Sequence, residues 1–238
     1  MTHSVTALLL DVEGTTSSIG YVYDVLFPFA RTETPAFLAE TWDDPDTAGA
    51  VAQIAAEAGW PPDWAAGLDR SAAVGRVVAE VNRLMDADSK AGGLKRLQGL
   101  VWRVGYGAGK LRSHVFPDVP VALRRWAAAG RDVRIYSSGS VTAQKVFFAH
   151  TEAGDLTAHL RGHYDTAVGP KREARSYAAI TADMARPPAE ILFLSDVVAE
   201  LDAARSAGLQ TALVIRPGNA PVAPGHGHRE VRDFDGLP

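Results

Sequence analysis

Two carboxylates two positions apart, Asp11 and Glu13, lie in the hexapeptide Asp11-Val12-Glu13-Gly14-Thr15-Thr16, directly after a short apolar run. Side chains at i and i+2 leaving a strand share one face and can reach one small volume. The first can attack phosphorus as a nucleophile and form an acyl phosphate that water later hydrolyses. The second can protonate the leaving oxygen and then deprotonate that water. Gly14 lets the backbone turn tightly enough for amides to approach phosphoryl oxygens. The hexapeptide also reads as a plain turn that ends a strand, so its meaning depends on what else the chain brings to the same place.

Three further elements have the same double character. In Ile135-Tyr136-Ser137-Ser138-Gly139-Ser140 an apolar stretch ends in hydroxyls just before a helix predicted from Val141. Hydroxyls and free amides there suit a dianionic phosphate, although a serine helix cap looks the same. Gly169-Pro170-Lys171 follows a predicted strand and precedes a predicted helix, 172–184. An ammonium there can balance charge on an attacking carboxylate and a phosphate, or can simply sit in water at the first helical turn. Leu192-Phe193-Leu194-Ser195-Asp196 delivers a carboxylate, with Glu200 one helical turn further on. Hard oxygen donors at a strand end suit Mg²⁺, and a helix cap is the plainer alternative. Nucleophile, hydroxyl, cation and metal ligand all fall at the ends of predicted strands, and that conjunction carries the functional reading.

The elements that must position these residues alternate. Short apolar runs at 6–10, 132–137, 164–168, 190–195 and 209–215 predict strands, and helical patterns separate the later ones, with Asp118 capping a helix that ends at Gly130 and residues 196–207 forming another. Alternating β and α predicts an α/β, doubly wound parallel sheet, in which ligands gather beyond the carboxyl ends of the strands where strand order reverses. Residues 16–112 lack any β-branched run and show helical spacing, with helices predicted at 23–39, 46–58, 63–85 and 91–111. The expected organisation is a catalytic core of residues 1–15 and 113–238 carrying an inserted helical cap, 16–112, that hangs over the first strand's end. The Gly- and Pro-rich stretch from Arg216 to the end predicts loop and a partly ordered tail.

Composition narrows the chemistry. The 238 residues have a formal net charge of -4 with acidic and basic residues interspersed, which argues against a surface that tracks nucleic-acid phosphates. There are no cysteines, so disulfides, thiolate catalysis and thiolate zinc sites are excluded, and any metal must be held by oxygen or imidazole. The apolar runs fall far short of the roughly 20 residues that span a bilayer, and no charged, apolar and small-residue leader pattern opens the chain. No membrane partner is therefore expected, and a cytoplasmic monomer is the expectation. Gly105-Tyr106-Gly107-Ala108-Gly109-Lys110 lacks the spacing of a nucleotide-binding loop, and its glycines suit close helix packing. His226 with His228, and His159 with His163, lack further ligands and read as solvated loop residues. The tryptophans sit in helical patterns and are assigned to packing.

These residues resemble the haloacid dehalogenase superfamily of phosphotransferases and, within it, the enolase-phosphatases of methionine salvage, the acireductone synthases. The narrower resemblance rests on the Asp-Val-Glu-Gly-Thr-Thr peptide, with Glu13 in place of a second Asp. It rests also on Asp24-Val25-Leu26-Phe27-Pro28, Leu97-Gln98-Gly99 with Trp102-Arg103, Ala143-Gln144-Lys145, Gly162-His163-Tyr164-Asp165-Thr166 and Arg216-Pro217-Gly218-Asn219-Ala220. It implies a haloacid dehalogenase-like Rossmannoid core with a helical cap. It implies one Mg²⁺ per chain held by Asp11, Asp196 and Glu13, the last through its main-chain carbonyl, with Ser137, Ser138 and Lys171 binding substrate. The implied reaction enolises 2,3-diketo-5-methylthiopentyl 1-phosphate and removes its phosphate, giving 1,2-dihydroxy-3-keto-5-methylthiopentene. A generic phosphatase of sugar phosphates or phosphoglycolate is the alternative within the superfamily, and a catalytically silent metabolite-binding module is the alternative outside it. The residues leave the enolisation base open between Glu13 and a cap residue near Trp102 and Arg103.

Overall fold

The computed structural model describes residues 4–238. In chain order, β1 (Ala7–Leu10) is followed by a single helical turn, α1 (Ile19–Tyr21), a π-helical turn (Val22–Leu26), and the helices α2 (Phe27–Thr41), α3 (Pro45–Glu57), α4 (Arg70–Asp86) and α5 (Gly92–Gly107). Then come α6 (Asp118–Ala128), β2 (Asp132–Tyr136), α7 (Val141–Ala149), β3 (Gly162–Tyr164), α8 (Ala174–Met184), β4 (Ile191–Ser195), α9 (Val198–Ser206), β5 (Gln210–Val214) and β6 (Arg229–Val231). The chain divides into two compact units, one running up to Tyr21 and resuming at Arg112–Pro238, the other Val22–Leu111.

In the first unit the strands form one parallel sheet in the order β3-β2-β1-β4-β5-β6. Every residue of β1 is fully buried, as an apolar strand covered on both faces must be. Leu10 lies opposite Ile135 on one side and Leu194 on the other, so β1, β2 and β4 end level with one another. Strand order reverses between β1 and β4, and such a point opens a crevice at the carboxyl ends. Tyr136, Tyr177, Phe193, Ile191 and Leu213 pack in the core below it.

Six expectations for this unit need correction. The strand predicted at 164–168 is instead Gly162–Tyr164, because the Asp165 carboxylate accepts from the amides of Val141 and Ala167 and turns the chain out of the sheet. Asp118 does not cap a helix: it is the first residue of α6, and its carboxylate forms a bidentate pair with Arg216. The helices predicted from 172 and 196 begin at Ala174 and Val198, and Asp196 makes no cap hydrogen bond. The tail predicted as loop contributes β6, parallel to β5, and buries Phe234 and Leu237; three residues are too few to show a period. His228 is buried and linked to Thr211 and Asp202, and His163 is half-buried beside Gln144, so neither is a solvated loop histidine. Finally, residues 16–21 belong with this unit: the Thr16 hydroxyl reaches the carbonyls of Asp11 and Val12, and the Ser18 amide donates to His114.

The second unit has its own core of Leu38, Ile54, Val77, Val81, Leu94 and Leu97. Asp44 caps α3 through the Asp46 and Thr47 amides, and Asp69 caps α4 through that of Ala72, which is why α4 starts at Arg70 and not at the predicted 63. Gly105 has a packing reason: a Cβ there would meet the Phe29 ring at 2.5 Å. Trp42, Trp60 and Trp64 pack against this core, and Trp102 donates its indole N–H to the Leu26 carbonyl.

Candidate active site

The first unit gathers the predicted site residues at the reversal point. Asp11 continues the ladder beyond β1, its amide donating to the Leu194 carbonyl at 3.0 Å. Asp11 is 3% exposed, and its Oδ1 accepts from the Val12 amide at 2.7 Å. Lys171 enters on the loop after β3, where Tyr177 donates its hydroxyl to the Lys171 carbonyl and Ser176 donates to that of Pro170. From there Nζ lies 2.7 Å from Asp11 Oδ1 and 2.7 Å from Glu200 Oε2, and 5.8 Å from the centre of the Tyr136 ring. Ser195, the last residue of β4, accepts from the Val197 amide at 3.1 Å and sits 3.0 Å from Glu200 Oε2 and 3.3 Å from Asp11 Oδ2. Glu200, Ser195, Lys171 and Asp11 thus form one buried hydrogen-bonded chain.

Glu13 and Ser137 join on the other side, Ser137 Oγ lying 3.4 Å from Glu13 Oε2 and accepting from the Gly139 amide. Ser138 makes none of these contacts and is exposed. Asp196 lies over Gly14, where a Cβ would stand 2.3 Å from Asp196 Oδ2. Gly14 has φ +74°, so both its conformation and its neighbour require a residue without a side chain.

The electrostatics follow from crowding. Burial, reinforced by Asp11, raises the carboxyls of Glu13, Asp196 (to about 6) and Glu200 (to about 7). Burial alone would lower the Lys171 ammonium, but the charges of Asp11 and Glu200 outweigh it and hold it above its usual range. The contrast between the partners is physical: Glu200 feels Asp11 as well as Lys171, whereas Lys171 feels two attractive neighbours. Its 2.7 Å contacts to both carboxylates fix it as a cation.

One ammonium facing Asp11, Glu13, Asp196 and Glu200 leaves an excess of negative charge that a divalent ion would relieve. Among the described residues, no three His, Cys, Asp or Glu side chains form a ready-made cage. The donor set that fits is mixed, two carboxylates and a main-chain oxygen. The carbonyls of Val12, Gly14, Thr15 and Thr16 all accept hydrogen bonds, while among the described residues no donor reaches that of Glu13. Hard oxygens of this kind suit Mg²⁺.

Similarity to known proteins agrees with this geometry. A profile of the haloacid dehalogenase-like hydrolases matches residues 5–208. An enolase-phosphatase E1 of Synechococcus elongatus is 48% identical, covering 98% of each chain. The chain belongs to the enolase-phosphatase family of haloacid dehalogenase-like hydrolases. An enolase-phosphatase E1 of Pseudomonas aeruginosa is 46% identical over 91% of this chain and 92% of its own. A solved structure, the UTR4 protein of Saccharomyces cerevisiae, is 34% identical with a TM-score of 0.80, covering 98% of this chain and all of that one. A dehalogenase structure at 18% identity and TM-score 0.55 shares the fold. As a member of that family the chain is a phosphatase.

Within this enolase-phosphatase site, the sequence pattern assigns Glu200 no definite role. A signal is nevertheless present: an acidic residue in the first turn of the helix that follows the carboxyl end of β4 stays beside that end. Ser195 has no comparable signal, because a serine ending an apolar strand has many uses.

Proposed function

We propose that the chain enolises 2,3-diketo-5-methylthiopentyl 1-phosphate and then hydrolyses the phosphate, in methionine salvage, with Asp11 as the nucleophile. The observation that carries the assignment is the Lys171 ammonium held 2.7 Å from Asp11, buried and braced by Glu200. It orients the attacking carboxylate and offsets charge that grows on the phosphoryl oxygens. Val12 and Lys171 both engage Oδ1 at 2.7 Å, whereas Oδ2 has only the longer 3.3 Å contact from Ser195 and is the freer oxygen for attack. Ser137, beside Glu13, binds the phosphoryl oxygens by hydrogen bonding, and the exposed Ser138 extends the same loop. Glu13 holds a proton more readily than an ordinary glutamate and so can protonate the leaving oxygen, then draw a proton from the water that opens the acyl phosphate. The same carboxyl is suited to removing the carbon-bound proton in the first step. Asp11, Asp196 and the Glu13 carbonyl would hold one Mg²⁺, whose charge polarises enolate and phosphoryl oxygens alike.

The test is Asp11→Asn. Incubation with the diketo phosphate, following enol absorbance and phosphate release separately, should show phosphate release abolished in the variant. Full phosphate turnover by the Asp11→Asn enzyme sinks the nucleophile assignment. Faster wild-type hydrolysis of sugar phosphates or phosphoglycolate than of the diketo phosphate would move the assignment to a general phosphatase.

A further inference from the structure

Residues 216–219 are far from Asp11 in sequence, yet they close on the turn that carries the catalytic carboxylates. Arg216 is 6% exposed, and its guanidinium makes hydrogen bonds in three directions. Nε donates to the Thr15 carbonyl at 3.1 Å, and the two terminal nitrogens pair with Asp118 at 2.9 and 2.8 Å. One of them also donates to the Arg232 carbonyl at 2.9 Å. Its plane is held between Phe116 and Phe234, 4.4 and 4.7 Å from the ring centres. Asn219 donates its amide to the Gly14 carbonyl at 2.9 Å and to that of Val214 at 3.2 Å. Phe116 completes the set by donating its amide to the Thr16 carbonyl.

Three successive carbonyls, of Gly14, Thr15 and Thr16, are therefore tied down from outside the turn, two of them by the C-terminal segment. Among the described residues, no donor reaches the carbonyl before them, that of Glu13. The Glu13–Gly14 peptide is itself pinned by the Gly14 amide, which donates to the Ser17 carbonyl at 2.8 Å, and tying the next carbonyls restricts its direction further, since only the two dihedrals of Gly14 separate the consecutive peptide planes. The anchor is itself secured, because Arg125 donates to the carbonyls of Phe234 and Leu237 and the Phe234 amide donates to Asp118.

We propose that Arg216 and Asn219 are positioning residues: through the Gly14 and Thr15 carbonyls they aim the Glu13 carbonyl at a bound divalent cation. The segment after β5 is then a working part of the catalytic site, acting through the backbone of residues 14 and 15. This deepens the reading given under Proposed function and rests on it.

The experiment compares wild type, Asn219→Ala, Arg216→Lys and Arg216→Ala. Mg²⁺ alone is titrated by calorimetry and by thermal shift, and then kcat and KM are measured on the diketo phosphate over a range of Mg²⁺ concentrations. In Asn219→Ala, at unchanged far-ultraviolet circular dichroism, the Mg²⁺ dissociation constant should rise about tenfold and kcat should fall at low Mg²⁺, with partial recovery at high Mg²⁺ and little change in KM. Arg216→Lys should recover part of what Arg216→Ala loses, because an ammonium can still reach one carbonyl. Wild-type Mg²⁺ affinity and kcat in Asn219→Ala overturn the proposal. So does a fall in melting temperature with the Mg²⁺ dissociation constant unchanged, which would mark a purely structural clamp. Should wild type itself release no phosphate, the functional reading fails, and the Mg²⁺ titrations still decide the positioning role by themselves.

Discussion

At the scale of single residues, the site depends on Lys171 being a cation among acids. Removing its charge leaves Asp11 and Glu200 buried together with no counter-ion between them. Breaking a buried pair from one side typically costs about 3–5 kcal/mol, because the orphaned charge stays behind. Lys171→Met should accordingly lower stability by that order and reduce phosphate release at least a hundredfold, checked by urea unfolding and by single-turnover phosphate release. A variant that keeps both would mean that the ammonium is incidental. Much of this was legible in the residue types: Asp11 and Asp196 each follow an apolar run and Glu13 stands two positions past Asp11, whereas Lys171 was singled out after a predicted strand, 164–168, that the structure ends at Tyr164. What could not be read was the second partner of Lys171. Glu200 is remote from Lys171 along the chain, and only the sheet order brings α9 against the loop after β3.

At the scale of elements, the strands with long apolar runs were legible and the marginal ones were not. β1 and β4 announce themselves because a strand buried on both faces has no polar alternation to confuse it. β3 and β6 are three residues each and are held by one neighbour, so pairing and not pattern creates them. β3 carries a consequence that can be tested. His163 points from it toward α7, with Nδ1 3.2 Å from Gln144 Oε1, the Phe148 ring nearby and Lys145 as the charged group facing it. Gln144 in turn donates to the carbonyls of Gly139 and Tyr164, so the imidazole braces the loop that follows Ser137. Burial, with help from Lys145, lowers the His163 pKa to about 4. The unfolded chain would take up that proton near its ordinary pKa of 6.5, so stability attributable to this group is intact above pH 6.5 and is lost as pH falls from 6.5 to 4. His163→Gln should therefore flatten the decline of melting temperature across that window relative to wild type. Parallel curves for the two proteins would remove His163 from the account.

At the scale of the whole molecule, the site runs against the interests of the fold that holds it. The apolar core under the sheet would be more stable beneath a neutral rim, yet the carboxyl ends of β1 and β4 deliver acidic groups into a poorly solvated crevice. The Asp196 carboxyl, raised to about 6, is the measure of that conflict. Ionised at pH 7, it penalises the metal-free fold by on the order of 2 kcal/mol, since a tenfold change in proton affinity corresponds to about 1.4 kcal/mol and partial solvation takes some of it back. The sign is fixed by linkage, because an acid whose pKa rises on folding favours the folded state only while it stays protonated. Asp196→Asn removes the repulsion and keeps the shape. The variant should melt several degrees higher than wild type without metal, lose phosphate release, and gain nothing from added Mg²⁺. Wild type should be stabilised by millimolar Mg²⁺ beyond the effect of equal ionic strength in NaCl, as binding to the folded state alone requires. Thermal scans of both proteins with chelator, with NaCl and with Mg²⁺ separate these effects. An Asp196→Asn protein that melts below wild type in chelator would show that Asp196 serves the fold, through contacts such as its close approach to Gly14, and is not held there against it for catalysis.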